Sequence, residues 1–290
     1  MNNDQLPAAT HIGDAHFIVA DMKRALDFYV DKLGFSPLRQ EGNQAVLSAD
    51  GVTPQILLTE QRGAGVKPQR STGLYHVAIR FPDRTSLARA FRRLISVRYP
   101  FGGFSDHTVS EALYLSDPDG NGLEMYVDRP RETWTFQDGQ VVMATDPLDV
   151  DDLLAQADND LSAWNGVDPK TDIGHVHLHV SDLQKAKAFY VDLLGLDIVL
   201  DFSTHGALFV SAGGYHHHIG LNIWAGKTPP PPNVVGLRSF QLIIPDEAAL
   251  DEVIARLEKA GVAVERLASG GVLAHDFDSN AVELTTAQTV

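Results

Sequence analysis

The sequence predicts an α+β fold of two homologous domains, each built from two βαβββ modules whose strands form open, curved sheets, or cups. The first observation is length, because 290 residues suit two domains. The second is an internal repeat, in which VADMKRALDFYVDKLG at 19–34 matches VSDLQKAKAFYVDLLG at 180–195. The third is that each of these segments follows an alternating apolar strand and precedes several short strands.

The repeat extends through both halves of the chain. Three more pairs of segments match in the same order: 47–51 with 210–214, 73–83 with 236–246, and 117–124 with 276–283. Chance does not produce four matches in one order, so the halves are duplicates. We expect the domains at 9–128 and 173–287, joined by a structured, acidic linker at 129–172 with a short helix near LDVDDLLAQA.

The first half shows the module pattern twice. The strand HFIVAD leads into a helix that Asp21 caps and Gly34 ends, and the strands QAVLSAD and PQILLTE follow. The pattern restarts at YHVAIRFPD, continues with the helix SLARAFRRLI, and ends with the strands EALYLSD and GLEMYVD. The intervening segment 117–122, DPDGNG, has the composition of a tight hairpin turn.

Composition restricts the classes of function. The chain has no cysteine, so a metal site would need imidazole and carboxylate ligands. A net charge of −15 disfavours a nucleic-acid partner, since such a surface repels phosphates. No run of apolar residues is long enough to predict a membrane span. The N-terminal segment lacks the basic and apolar regions of a secretory signal, so we expect a cytoplasmic location.

One short stretch, GHVHLHVSD at 174–182, carries an unusual pattern. Alternation along a strand places His175, His177 and His179 on one face and apolar residues on the other. If the apolar face packs in the core, the histidine face lines a polar cavity or binds a metal.

These motifs together resemble the vicinal oxygen chelate superfamily. The shared pattern is a strand ending in an aspartate that opens a helix, then Phe-Tyr-x-x-x-Leu-Gly, then Asp-Pro-Asp-Gly-x-x-x-Glu. The resemblance covers almost the whole chain apart from the linker, and it is strongest to the catechol-2,3-dioxygenase branch. It implies the paired βαβββ fold and a metal site inside a cup.

The resemblance also implies which residues bind the metal. The first-strand ligand lies seven residues before the helix-opening aspartate, which selects Asp14, His76, His175 and Ser239. The last-strand ligand is the glutamate after the turn, which selects Glu124 and Glu283. A triad of two histidines and one glutamate is complete only as His76, Glu124 and His175, and this requires modules two and three to share a cup. Glu283 is a relic of duplication or a second site with His175.

Further residues follow from the same resemblance. His218, in the expected strand GGYHHHIGLNIW, is the implied acid/base histidine, and His216 shares its face. Tyr114, which precedes Glu124 by ten residues, is the implied hydrogen-bond donor to the reacting oxygen. The residues expected to contact the substrate in the cavity are His107, His177, His179 and His216.

The implied activity is extradiol cleavage of an aromatic ring. Its substrates would be catechol or a substituted catechol and O2, with Fe(II) as the metal and Mn(II) as an alternative that takes the same ligand types. Such enzymes serve aromatic hydrocarbon catabolism. Two other functions stay open, namely a glyoxalase-like metal-dependent lyase or isomerase and a metal-free small-molecule-binding protein. Exposed sheet edges suggest a homodimer.

Overall fold

The first half of the chain contains both expected modules. The computed structural model describes residues 5–157, 164–268 and 270–286. The first module comprises β1 (His11–Val19), α1 (Met22–Leu26), β2 (Ser36–Glu41), β3 (Gln44–Ser48) and β4 (Ile56–Glu60). The second comprises β5 (Gly73–Phe81), α2 (Arg84–Ser96), β6 (Gly103–Asp106), β7 (Ser110–Ser116) and β8 (Gly122–Asp128).

The linker and the second half follow. The linker contains the short hairpin β9 (Phe136–Gln137) and β10 (Gln140–Val141) and the helix α3 (Val150–Ala155). The third module comprises β11 (Asp172–His179), α4 (Leu183–Lys187), β12 (Asp197–Phe202), β13 (Ala207–Ser211) and β14 (Ile219–Asn222). The fourth comprises β15 (Gly236–Ile244), α5 (Glu247–Lys259), β16 (Val264–Arg266), β17 (Val272–His275) and β18 (Ala281–Thr286). The helix expected in the linker is therefore present.

The strands form two curved, eight-stranded sheets, which confirms the α+β fold of paired modules. One sheet has the order β12-β13-β14-β11-β5-β8-β7-β6, and the other has the order β16-β17-β18-β15-β1-β4-β3-β2. Each sheet therefore combines one module from each half of the chain. We call them the 2–3 cup (β5–β8 with β11–β14) and the 1–4 cup (β1–β4 with β15–β18). Modules two and three do share a cup, as the proposed triad requires.

Within each half, the helix of one module is anchored to the turn of the next. Tyr29 donates a hydrogen bond of 3.0 Å to Asp117, and Tyr190 donates one of 3.0 Å to Asp276. Both aspartates also accept backbone N–H groups of their own turns. The repeated Phe-Tyr and Asp-x-Asp motifs thus hold the two modules of a half together, while the sheets join the halves.

The first helix begins and ends where the sequence predicts. Asp21 accepts the backbone N–H of Arg24 as N-cap, and Gly34 adopts a φ of +99°, which favours glycine. The helix is not uniform, however, because residues Asp27–Lys32 form a π-helical turn. This turn allows the adjacent Phe28 and Tyr29 both to be buried completely.

Apolar side chains from both cups and the helices pack into one continuous core. Its largest fully buried members include Phe17, Phe28, Phe189 and Phe240. None of the helices in the described ranges is long and apolar enough to cross a membrane.

Candidate metal centre and active site

Three adjacent strands of the 2–3 cup each contribute one residue of the predicted triad. His76 lies on β5, Glu124 on β8 and His175 on β11. Ala78 of β5 pairs with Glu124 on one side and with His175 on the other. Since alternate residues of a strand share a face, His76 projects from the same face as these two neighbours. The small side chain of Ala78 leaves the space between them free.

The ligand atoms of the triad converge. The Nε2 atom of His76 lies 2.9 Å from Glu124 Oε2, and Nε2 of His175 lies 3.2 Å from the same oxygen. One ligand atom from each residue lies within 4.8 Å of the others, and all three side chains are buried. Within the described residues, this is the one such group of His, Asp and Glu. Two imidazoles and one carboxylate suit a divalent transition metal with open coordination positions.

The protonation states also suit a metal. Burial alone would raise the pKa of Glu124, but the charges and hydrogen bonds of His175 and His76 outweigh it and hold the pKa well below its usual value. Burial lowers the pKa of His175 to about 4, against the opposing effect of Glu124. The site therefore presents an ionised carboxylate and a neutral imidazole at neutral pH, which are the forms that bind metals.

A cavity of about 890 Å³ opens next to the triad. Its walls come from β5–β8 and β11–β13, from linker residues 143–145, and from two segments that connect modules. The lining includes two of the three triad residues together with aromatic and histidine side chains: His76, Glu124, Tyr75, His107, Tyr114, His177, His179, Phe202, Phe209, His217 and Trp224. The shape is that of a binding site for a small organic molecule.

Tyr114 and His107 form a hydrogen-bonded pair on one wall of the cavity. His107 donates from Nδ1 to the carbonyl oxygen of Ala144 at 2.7 Å, and its Nε2 forms a hydrogen bond of 2.7 Å with the Tyr114 hydroxyl. Tyr114 pairs with Glu124 across β7 and β8. Burial, with the charge of Glu124, raises the pKa of Tyr114 well above its usual value. The hydroxyl therefore keeps its proton.

The opposite wall carries the other two histidines of the GHVHLHVSD strand. Asn222 on β14 joins them, because its side-chain N–H donates to His177 Nε2 at 3.0 Å and its oxygen accepts from His179 Nδ1 at 2.6 Å. Burial lowers the pKa of both histidines. Both rings are therefore neutral and fixed in orientation at the cavity surface.

The three consecutive histidines of 216–218 do not lie in a strand, because β14 begins at Ile219. Alternation therefore fails, and His216 and His218 do not share a cavity face. His218 is bonded through Nδ1 to Ser211 at 2.9 Å and to the backbone N–H of Ala212 at 3.2 Å. His216 contacts Asp128 at 2.8 Å. Neither is among the residues that line the cavity in the described part of the chain.

His217 occupies the position at the cavity. Its ring lies 4.0 Å, between centroids, from the ring of His175. His216 Nε2 lies 2.8 Å from Asp128, and the Nδ1 atoms of His216 and His217 lie 2.8 Å apart, so one of these rings donates to the other. This contact engages Nδ1 of His217, whose Nε2 forms no hydrogen bond with the described residues. Burial keeps the pKa of His217 well below its usual value.

The remaining family positions belong to the 1–4 cup. Asp14 lies on β1, Ser239 on β15 and Glu283 on β18, where Gln241 donates to Glu283 at 3.4 Å. Burial, with the charge of Glu283, raises the pKa of Asp14 to about 7. Glu283 and His175 are in different cups, so the structure does not form the second site that the sequence left open.

Several cavity residues carry no signal in the sequence motifs. Phe209, Trp224 and Tyr75 reach the cavity through strand order and connecting segments, which short motifs do not encode. A sequence signal for His217 did exist in the histidine run itself. Strand alternation in that run favours His216 and His218, whereas the residue of the run that lines the cavity is His217.

Comparison with known proteins agrees with this geometry. The chain is 50% identical over 260 residues to catechol-2,3-dioxygenase of Bacillus subtilis, covering 88% of this chain and 90% of that protein. It is 28% identical over 138 residues to biphenyl-2,3-diol 1,2-dioxygenase 3 of Rhodococcus globerulus, covering 43% and 70%. The fold also matches a crystal structure of glyoxalase I from Zea mays, with a TM-score of 0.58, 16% identity, and coverage of 95% and 92%.

One protein-family model matches residues 10–125 and 172–270 of the chain. These ranges cover most of the two repeated halves and exclude most of the linker. The chain belongs to the Glyoxalase/Bleomycin resistance protein/Dioxygenase superfamily.

Proposed function

We propose that this protein is an extradiol dioxygenase, which opens the ring of a catechol with O2 at a non-haem metal. The observation that carries the proposal is the convergence of His76, Glu124 and His175 at the base of a cavity of suitable size. The name of the Bacillus subtilis relative supports it. Ring opening next to, rather than between, the two hydroxyls would place the enzyme in aromatic catabolism.

The triad would hold Fe(II), and Mn(II) accepts the same types of ligand. The fit rests on the donor set and on the buried His76 and His175 nitrogens, several of which have no hydrogen-bond partner. When bound, the metal would supply Lewis acidity and a path for electron density between the catechol and O2. The protein would contribute three ligand residues that lie close together beside the cavity in which the substrate would bind.

His217 is the acid/base residue in this proposal, in place of the His218 that the sequence suggested. A general base has to reach the proton that it removes, and His217 lines the cavity whereas His218 does not. The His216–Asp128 pair fixes the ring so that Nε2 is free to accept a catechol proton. The same nitrogen can later return that proton to the product.

Tyr114 and His107 act together on the other side of the substrate. The protonated Tyr114 hydroxyl can donate to an oxygen that gains negative charge, since its pKa is raised. His107 orients that hydroxyl. His177 and His179, fixed by Asn222, line the wall along which the catechol ring would lie. The homodimer and the cytoplasmic location stay predictions.

Anaerobic reconstitution tests the function directly. The purified protein is loaded with Fe(II), catechol is added, and the yellow ring-opened product is followed by absorbance after air is admitted. We expect product only when Fe(II) and O2 are both present, and none from His175→Ala. Stoichiometric iron without turnover of any catechol would contradict the activity, and failure to bind iron would contradict the triad.

A further inference from the structure

Two connecting segments cross the mouth of the cavity and pair with each other. Residues 61–72 join β4 to β5, and residues 223–235 join β14 to β15. Gly65 accepts the N–H of Val235 and donates to Asn233, each at 2.9 Å, and the N–H of Thr72 donates to Thr228 at 2.9 Å. These backbone bonds join the two segments into one rim at the side of the cavity.

Lys67 is placed on this rim, facing the cavity. Its Nζ lies 3.4 Å from the carbonyl oxygen of Ser71 and 3.3 Å from that of Leu74, both long contacts to neutral groups. It forms no ion pair with a carboxylate of the described residues. Among the described residues that line the cavity, it is the one lysine or arginine. The chain carries 38 acidic and 23 basic residues. With carboxylates in such excess, a lysine without an acidic partner is unusual.

The ammonium group is partly removed from water. Lys67 is half-buried, its stem runs close to Gly73, and a Cβ atom at that glycine would lie 3.0 Å from Lys67 Cε. Burial lowers the pKa of Lys67 below its usual value. A cation held in this way gains more from an anionic ligand than one that is fully exposed.

The distance between Lys67 and the triad sets the length of a substrate that could contact both. Gly73 and His76 are three residues apart on β5, and the irregular pairing at Tyr75 shortens the strand there, so the span is at most roughly 10 Å. A catechol held by the triad would occupy the inner part of this span. Its ring substituent would point along the wall formed by Tyr75 and Trp224, whose rings meet edge to face at 5.9 Å.

The cavity has room for such a substituent. Its volume of about 890 Å³ lies near the upper end of the range of roughly 300–1,000 Å³ that drug-sized ligands occupy. A bare catechol would leave most of it empty. The outer part is lined by partly exposed apolar side chains, which include Trp224, Tyr75 and Phe202.

We propose that Lys67 selects catechols whose ring carries an apolar substituent ending in a carboxylate. The inference rests on the dioxygenase function proposed above and names its substrate class. The hydroxyls would face the triad, the substituent would pack against the aromatic wall, and the carboxylate would pair with the Lys67 ammonium. A charged hydrogen bond of this kind is among the stronger polar contacts available in a partly buried site.

A matched pair of substrates tests this selection. The acid is 3-(3,4-dihydroxyphenyl)propanoate, and the control is its amide, which has the same shape without the charge. The quantity measured is the ratio of kcat/KM for the acid to kcat/KM for the amide, in the Fe(II)-loaded wild type and in Lys67→Met, Lys67→Arg and Lys259→Met. Lys259 is an exposed lysine at the end of α5, remote in sequence from the cavity segments.

We expect the wild type to prefer the acid by about tenfold or more, which corresponds to one charged contact. Lys67→Met should bring the ratio to about one, Lys67→Arg should restore a preference, and Lys259→Met should behave as the wild type. A ratio near one in the wild type would overturn the proposal, as would a preference that survives in Lys67→Met.

Catechol itself separates this proposal from the function on which it rests. If the wild type opens catechol but does not prefer the acid, the role of Lys67 is wrong and the activity stands. If no catechol is opened, anaerobic calorimetry of the Fe(II)-loaded protein still measures binding of the acid and the amide. Tighter binding of the acid that is lost in Lys67→Met would support the anion site, and equal binding would overturn it.

Discussion

The 2–3 cup and the 1–4 cup share strand order and module pairing, but they differ in the residues at the three ligand positions. In the 2–3 cup, β11, β5 and β8 carry His175, His76 and Glu124. At the matching positions of the 1–4 cup, β1, β15 and β18 carry Asp14, Ser239 and Glu283. The glutamate is kept, and both histidines are replaced. The scaffold therefore presents matching positions twice, and of these two sets only His76, Glu124 and His175 form a candidate metal-binding group in the described residues.

The residues next to these three positions also differ between the two cups. His177 pairs with His76 across β11 and β5, and His16 pairs with Ser239 across β1 and β15. The 2–3 cup surrounds its carboxylate with imidazoles, which stabilise the ionised form. The 1–4 cup sets the carboxylate of Glu283 near that of Asp14, which disfavours ionisation of Asp14.

The largest expected difference between the cups concerns their glutamates. Glu124→Gln should lower both Fe(II) affinity and turnover by more than about 100-fold, because losing a residue that only hydrogen-bonds to a metal ligand already costs about 10–100-fold. Glu283→Gln, the matched change in the 1–4 cup, should leave both close to the wild type. Iron titration and catechol turnover measure the two effects. Similar losses in both variants would mean that the cups share the chemistry.

The next difference lies within the 2–3 cup, between two neighbouring histidines. His217→Asn should lower kcat by about 10²–10⁴, the usual contribution of a general acid or base. His218→Asn should have a much smaller effect on kcat, because its amide oxygen can replace the Nδ1 contact with Ser211 and the residue does not line the cavity. Steady-state kinetics would contradict the assignment if His218→Asn were the more impaired variant.

Asp14 provides a prediction for the 1–4 cup that depends on pH. Its pKa is raised from 3.8 to about 7 in the folded state, so the unfolded chain loses this proton first. The free energy of unfolding therefore falls as pH rises between these values, by up to about 4 kcal/mol at 1.36 kcal/mol per pKa unit. Asp14→Asn removes this dependence.

Urea unfolding of the wild type and Asp14→Asn at about pH 4 and about pH 8 measures the effect. The variant should gain stability relative to the wild type as the pH rises. A difference between the two proteins that stays constant over this range would show that Asp14 is not held in its protonated form.

The smallest expected difference compares the two halves of the chain. Tyr29→Phe and Tyr190→Phe each remove one buried hydrogen bond to an aspartate, at the same distance of 3.0 Å. Each should lower the free energy of unfolding by about 1.5–3 kcal/mol. Because the two contacts are equivalent, we expect the two losses to agree. A large loss in one variant alone would show that only one half depends on this anchor.

Much of this organisation follows from the sequence. Matching segments locate the modules, capping and turn residues locate the helices and hairpins, and the motif positions select His76, Glu124 and His175 as the candidate triad. The pairing of modules two and three also follows, but only because no other combination completes a triad. The repeats alone do not predict which modules pair, because sheets form through backbone hydrogen bonds that any sequence can make.

Other features required the structure. The π-helical turn at Asp27–Lys32 shifts side chains relative to a regular helix, and no composition rule predicts it. The choice of His217 over His218 depends on an irregular segment after Gly213 and Gly214, both with positive φ. There the two-residue period of a strand does not apply. Lys67 reaches the cavity through a connecting segment whose path depends on pairing with another part of the chain.

In the proposed function, the two halves of the chain share one metal site. Anaerobic titration with Fe(II), followed by desalting and iron analysis, tests it in the wild type, His76→Ala and His175→Ala. These histidines come from the first and second halves respectively. We expect one iron per chain in the wild type and none in either variant. Two irons per chain, or a full site that survives the loss of either histidine, would contradict a single shared centre.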